Sequence, residues 1–457
     1  MSSRTNNPRL ESSSEIASPV IERALRISIY EGCATQIYLN WTTNAVLAGF
    51  LTYMGATPSQ LAMASGIPQL AQCVAPLAAW LQARYPHRRA ICTSAGFLSR
   101  TVWIIPAIAP MLVGPKEAAD LLWDHAAAYL LGVIAFSSVF ASIVTPVWTA
   151  WMGDVVPQNR RGRYFGLRSG ILAVAGMAAN ICAGMALDEI ARPWNYQVFL
   201  IGAVIFAGVG LNLYRKQYEP RPHVHRTSLL ESIRIPLRDH NFRRFLMFST
   251  YWQASVMIGA VFVFPYFITT WKLTYTQIGI YQAVYAIMTL LFGPLWGKIA
   301  DHAGNRAVLS ITTLIAGSLL PMTWILGTPG DPTMLWVSAV VDAFAWSAIN
   351  PAVFNLSLAT APPKQRMSYL GVLAACTGIA GFAGASIAGP LLEFCKDYEF
   401  SVSGWHWTGY QWIFLISACF RSCAFFFVLP VQEAKAWRTR DLLRALMPWN
   451  ISGFPWK

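Results

Sequence analysis

The sequence predicts an all-α membrane protein, with twelve transmembrane helices in two six-helix bundles, and three observations carry that prediction. Of its 457 residues 55% are hydrophobic and only 12% charged, against about one quarter charged in soluble domains. Apolar runs of about twenty residues recur, the length a helix needs to cross a bilayer with its backbone satisfied internally. The two halves of the chain also repeat each other.

In order, the expected spans cover about 27–53, 58–82, 90–113, 125–150, 164–187, 195–215, 245–271, 275–298, 306–327, 334–358, 368–392 and 410–431. The polar segment 216–244 separates the sixth from the seventh. The expected units are a cytoplasmic tail (1–26), an N-terminal bundle (27–215), a cytoplasmic linker (216–244), a C-terminal bundle (245–431) and a second cytoplasmic tail (432–457). The first 24 residues are polar and lack a basic-then-apolar signal pattern, so a tail rather than a cleaved peptide is expected.

Charge sets the orientation. Of the 34 Lys and Arg residues, with those near span ends counted with the adjacent loop, 28 fall on the tails, the linker and the even-numbered loops, four (Lys116, Arg192, Lys272, Lys396) in the other loops, and Arg100 and Arg421 mid-span. That bias predicts both termini on the cytoplasmic side. The net charge of +13 therefore belongs to a membrane surface, and nucleic acid is not expected as a partner.

Internal symmetry needs no outside comparison. A shift of 217 residues places Gln36 on Gln253, Thr57 on Thr274, Gln60 on Gln277 and Arg89 on Arg306. A shift of 205 places Pro146 on Pro351, Tyr164 on Tyr369, Gly176 on Gly381, Gly184 on Gly389 and Asp188 on Glu393. The change of register fits a longer loop after the third span (114–124) than after the ninth (328–333). Parallel repeats of six helices are a transporter architecture.

The charged turn Gly297-x3-Asp301-x2-Gly304-x-Arg306 resembles the cytoplasmic loop motif of the major facilitator superfamily of secondary transporters. The loop from Trp148 through Trp151, Asp154 and Pro157 to Arg161, Arg163, Tyr164, Gly166 and Arg168 resembles a loop of bacterial members. The first half departs from the signature, with Trp80, Arg84 and His87 where Gly, Asp and Gly are expected. The fourth span has no arginine and the fifth no Gly-Pro, although Gly389-Pro390 occurs in the eleventh; this lowers the weight of a proton-coupled drug antiporter.

The resemblance implies alternating access, with the first, fourth, seventh and tenth helices lining a central cavity. Polar residues within spans are the candidates for that cavity, because each is costly in hydrocarbon unless it faces protein, water or ligand. Gln36, Asn40 and Asn44 recur every four residues on one face of the first span, and Asp342, Trp346 and Asn350 do so in the tenth. Gln253 joins them through the repeat. Amides suit a polar solute, or else join helices. Asp342, roughly 12 Å in from the outer boundary, is available to a cation, a proton or a substrate hydroxyl, or to an ion pair with Arg421. Trp346 suits stacking on a sugar-like ring, or packing. Glu31 lies close to the inner interface and is expected to pair with a loop arginine.

At the gate, the resemblance places Asp301 near the start of the fifth helix, facing Tyr164, Gly166, Arg161 and Arg163. A carboxylate there gains from the helix dipole. Arg84 stands at the symmetry-related place and would be repelled, so the latch is expected on the Asp301 side alone, with Gly297, Gly304 and Arg306 shaping the turn.

No phosphate loop, Ser/His/Asp set or metal-spaced His/Cys cluster occurs, and the eight cysteines include no CxxC pair. A non-enzymatic transporter without cofactors or metal is therefore expected, monomeric, in a bacterial inner membrane. Its expected partners are the lipid bilayer, a small organic solute of sugar-like character, and a proton or sodium ion for coupling. Proton-driven export of amphipathic compounds, or a non-transporting sensor on the same scaffold, are the alternatives.

Overall fold

The computed structural model describes residues 18–85, 87–113, 125–156, 161–190, 194–220, 229–328, 330–362, 365–402, 405–433 and 436–446. Eleven helices are long and apolar enough to cross a membrane: Pro58–Gln82, Arg88–Ala109, Ala126–Val155, Tyr164–Glu189, Trp194–Lys216, His240–Thr269, Tyr275–Ala303, Asn305–Leu326, Thr333–Thr360, Ser368–Cys395 and Gly409–Val428. These are passes two to twelve. The first pass is built from two helices, Ser18–Thr42 and Asn44–Tyr53.

The break in the first pass has a local cause. Asn44 sits at φ 54°, a left-handed conformation that asparagine tolerates better than most side chains. The Thr42 and Thr43 hydroxyls donate to the carbonyls of Tyr38 (2.9 Å) and Leu39 (2.7 Å). Carbonyls released from the helical ladder at membrane depth thus keep partners.

The repeat seen in the sequence reappears as geometry. Thr57 and Gln60 form a capping box at the start of the second pass, and Thr274 and Gln277 form its copy at the eighth. Gly176 of the fifth pass lies against Gln36 and Asn40, while Gly381 of the eleventh lies against Gln253. A third register, of 214 residues, pairs Tyr196 with Tyr410, Gln197 with Gln411 and Glu219 with Glu433. The two glutamates cap equivalent helix starts: Glu219 accepts from Arg89 N (3.1 Å), and Glu433 from Asn305 N (3.1 Å) and Arg306 N (2.7 Å).

Some boundaries differ from expectation. The first helix is already formed at Ser18, the linker carries the helix Leu229–Arg238, and the seventh pass starts at His240, where Asp239 caps it by accepting from Asn241 N and Phe242 N. A short antiparallel hairpin, Phe400–Val402 with Trp405–Trp407, joins the last two passes, and a tail helix, Thr439–Leu446, follows them. Hydropathy reports the apolar segment, and the helices extend past it into polar sequence.

Buried charge ties the N-terminal bundle together. Glu31 of the first pass lies 3.4 Å from Arg100 of the third and 3.8 Å from Arg168 of the fifth, and is 3% exposed. Thr35 donates to Glu31 (2.5 Å) and accepts from Arg100 (2.8 Å). The partners are helix arginines rather than a loop arginine, because three passes converge at this level. Arg168 also stacks on Trp148 at 4.4 Å.

Candidate solute-binding site

Among the described residues, two sizeable cavities open between the passes. The larger, about 900 Å³, is bounded mainly by the first, second and fourth passes, with Met257, Val261 and Phe264 of the seventh and Leu370 and Gly371 of the eleventh. No charged residue lines it among the described residues. The fourth pass contributes Ser138, Ser142, Thr145 and Thr149, spaced four, three and four apart and so on one helical face. This hydroxyl stripe has the same periodicity in the sequence as the amides, but hydroxyls carry a weaker polarity signal than amides in an apolar span. Beside it, Trp103 Nε1 donates to Ser137 Oγ (3.0 Å), whose hydroxyl donates to the Ser99 carbonyl (2.7 Å), so that wall is held in place.

The smaller cavity, about 320 Å³, is lined by Gln36, Asn40 and Asn44 of the first pass, Asn180 of the fifth, Tyr281, Gln282 and Tyr285 of the eighth, and Asp342 of the tenth. Asn44 and Phe264 line both cavities. The amide face of the first pass and the acid of the tenth are thus brought together. The other candidates lie outside both linings. Trp346 packs against Trp252 at 6.0 Å between ring centroids, Asn350 is exposed, and Gln253 is part of the contact with Gly381. A four-residue spacing puts side chains on one face only near the middle of that face, and the tenth pass turns Trp346 toward the seventh instead.

At the end of the bundles away from the tails, the passes are locked together. Asp188, at the end of the fifth pass, accepts from Tyr275 N (2.9 Å), Thr276 N (2.9 Å) and the Thr276 hydroxyl (2.7 Å) at the start of the eighth. Tyr275 also bonds Tyr196 through their hydroxyls (2.7 Å) and lies against Gly49. Glycines permit this approach: a Cβ on Gly184 would fall 2.6 Å from the Tyr275 carbonyl, and one on Gly389 2.5 Å from Ser59.

At the tail end, Gly166 and Gly170 of the fifth pass and Gly293 and Gly297 of the eighth face open space. Asp301 is exposed and makes no hydrogen bond or ion pair among the described residues. The side chains of Arg161 and Arg163 lie outside the described residues. The turn after Asp301 instead serves its own bundle. Gly304 takes φ 86°, and the Arg306 guanidinium donates to the carbonyls of Leu429 (3.2 Å) and Trp437 (3.0 Å). Glu433 claims the helix start beside it, a tail residue that the sequence reading missed and that the 214-residue register would have found. Arg84 stacks over Trp80 of its own helix at 5.8 Å.

Pseudo-symmetric bundles of membrane-spanning helices, sealed at one end around a polar interior, define a class of polytopic carrier-like membrane proteins. A family model of the Major Facilitator Superfamily matches residues 32–274 and 245–453, and the chain belongs to that family. It is 24% identical over 277 residues to an uncharacterised MFS-type transporter of Methanocaldococcus jannaschii, covering 58% of this chain and 69% of that protein. It is 28% identical over 153 residues to solute carrier family 22 member 18 of Mus musculus, spanning 33% of this chain and only 38% of the mouse protein. Among solved structures, a D-xylose-proton symporter superposes with TM-score 0.69 at 15% identity, covering 92% of this chain and 100% of that one. A mutant of the nucleoside transporter NupG superposes with TM-score 0.68 at 14% identity, covering 90% and 100%. At such identities the superpositions speak to the fold.

Proposed function

We propose that this protein is a secondary active transporter that moves a small organic solute across the membrane by alternating access, performing no covalent chemistry. The observation that carries this reading is the pair of adjoining cavities between two related bundles, closed at one end by Asp188 and Tyr275 while glycines of the fifth and eighth passes at the other end face open space. The solute sits in the larger cavity against the Ser/Thr face of the fourth pass, with Gln36, Asn40, Asn44 and Asp342 forming the polar recess beside it. Hydroxyls and amides in an uncharged wall suit a solute with a neutral polar body, as sugar-like compounds have. The apolar remainder, including Leu47, Leu51, Ile134 and Met257, favours as second reading the export of an amphipathic compound.

The tail end is assigned to the cytoplasm from the distribution of basic residues, and the membrane to a bacterial inner membrane. A proton or sodium gradient drives accumulation in a monomer, whose two bundles enclose the site without a second copy. In this orientation the cavity is sealed from outside, and among the described residues Asp301 makes no hydrogen bond or ion pair with the fifth helix.

Thermal-shift screening of purified protein against sugars, nucleosides, amino acids and lipophilic amines, followed by counterflow of the best stabiliser in proteoliposomes, tests this. Saturable counterflow that Ser142→Leu abolishes, without lowering the melting temperature, is the expected result. A stabilising ligand that is never carried would establish a sensor instead.

A further inference from the structure

The smaller cavity carries an inference that rests on reading the interior as a solute site. Among the described residues, Asp342 is the sole carboxylic acid in its lining, and no Lys, Arg or His joins it there. Among the described residues Asp342 makes no hydrogen bond or ion pair. Arg421, whose field reaches it, is turned away: its guanidinium donates to the Val256 carbonyl (2.9 Å) and lies over Trp324. A carboxylate at this depth is costly unless a countercharge meets it.

The surroundings suit a cation. The amides of Gln36, Asn40, Asn44, Asn180 and Gln282 offer carbonyl oxygens that can turn toward positive charge. Tyr281, Tyr285 and Phe264 also line it, and aromatic ring faces attract cations. A bare metal ion needs several oxygens converged at bonding distance, whereas these side chains border about 320 Å³, roughly ten times the space of one water. Asn44 and Phe264 line both the recess and the larger cavity, so the two lie side by side.

We propose that the recess binds the protonated amine of an organic cation whose neutral body lies in the larger cavity. Asp342 is the countercharge, and the Asn44 kink turns its amide to the junction. The substrate class is thus an amine-bearing organic solute rather than a neutral sugar.

Two probes of nearly equal shape, 2-phenylethylamine (charged at neutral pH) and 2-phenylethanol (neutral), separate the possibilities through thermal stabilisation of the purified full-length protein. Stabilisation reports occupancy of the folded state. The amine is expected to bind about tenfold or more tightly than the alcohol, the scale of a hydrogen bond to a charged group. Asp342→Asn should bring the two together, and Asp342→Glu should restore most of the difference. The melting temperature of each variant without ligand shows whether it folds. Equal stabilisation by both probes in the unmodified protein, or a preference that survives Asp342→Asn, overturns the cation assignment and leaves the cavity standing. Stabilisation by neither removes the cavity as a solute site, and both readings with it.

Discussion

Pro58 and Tyr275 occupy the same place in the repeat, one residue beyond the matched capping threonines. Tyr275 has an N–H and gives it to Asp188. Proline has none to give, and Glu393, the counterpart of Asp188, is left exposed without a described hydrogen bond. Among the described residues the far seam is therefore latched by a carboxylate on the Asp188 side, and Pro58 removes one of the three donors that such a latch uses. A carboxylate at a helix start contributes about 0.3–2 kcal/mol through the dipole. Asp188→Asn should raise the population open at that end, read as longer distances between spin labels on the far ends of the fifth and eighth passes. Unchanged distances would mean that Gly184 and Tyr275 hold the seam by packing alone. Glu31 is the other residue on which much depends. Removing one partner of a buried ion pair costs about 3–5 kcal/mol, so Glu31→Gln should lower the melting temperature clearly, while Arg89→Gln, at a half-exposed side chain 3.9 Å from Glu219, should barely change it.

At the scale of elements, the first pass and the ninth show local chemistry serving distant neighbours. The first is broken where Asn44 takes a left-handed conformation, so Asn44→Gly should fold normally, because glycine adopts that conformation freely. Asn44→Val should cost about 1–3 kcal/mol for a strained backbone; equal melting temperatures for the two variants would show that the kink is not required. The ninth pass starts on Glu433, which satisfies two backbone N–H groups and the Asn305 side chain. Glu433→Ala should cost roughly 0.5–2 kcal/mol, the range for a lost cap, and free the tail helix to exchange its amide hydrogens faster. Farther along, the ninth pass loosens into a π-turn at Ile315–Leu319, where Gly317 lies against the backbone of the twelfth; one-residue π insertions of this kind re-aim a helix past a close neighbour.

At the scale of the molecule, the approach of the bundles is set by glycine. Gly279 lies against the Asn180 carbonyl, where a Cβ would fall 2.9 Å away, and Gly66 against Ala385, where it would fall 2.7 Å away. Neither a backbone oxygen nor a buried methyl has room to yield. Gly279→Leu is thus expected to hold the far end apart and abolish counterflow, whereas Gly132→Leu, at a position facing open space, should leave both closure and transport intact. A Gly279→Leu protein that still carries solute at the normal rate would show that this seam does not need to close.

The sequence by itself determined the number of passes, the division into related halves and the polar faces of the membrane helices, because hydropathy, periodicity and internal repetition are properties of residues close in the chain or equally placed in each half. It also marked Gln36, Asn40, Asn44 and Asp342, since a polar group in hydrocarbon stands out wherever it lies. What stands opposite each group was decided by tertiary structure alone. Trp346 shares a face with Asp342 in the sequence yet meets Trp252, and Asp188, outside the Asp301 motif, accepts from the start of the eighth pass. Glu433, more than a hundred residues away, takes the helix start beside the motif. A carboxylate gains from whichever unsatisfied N–H groups are brought to it, and that meeting depends on the packing of helices remote in the chain.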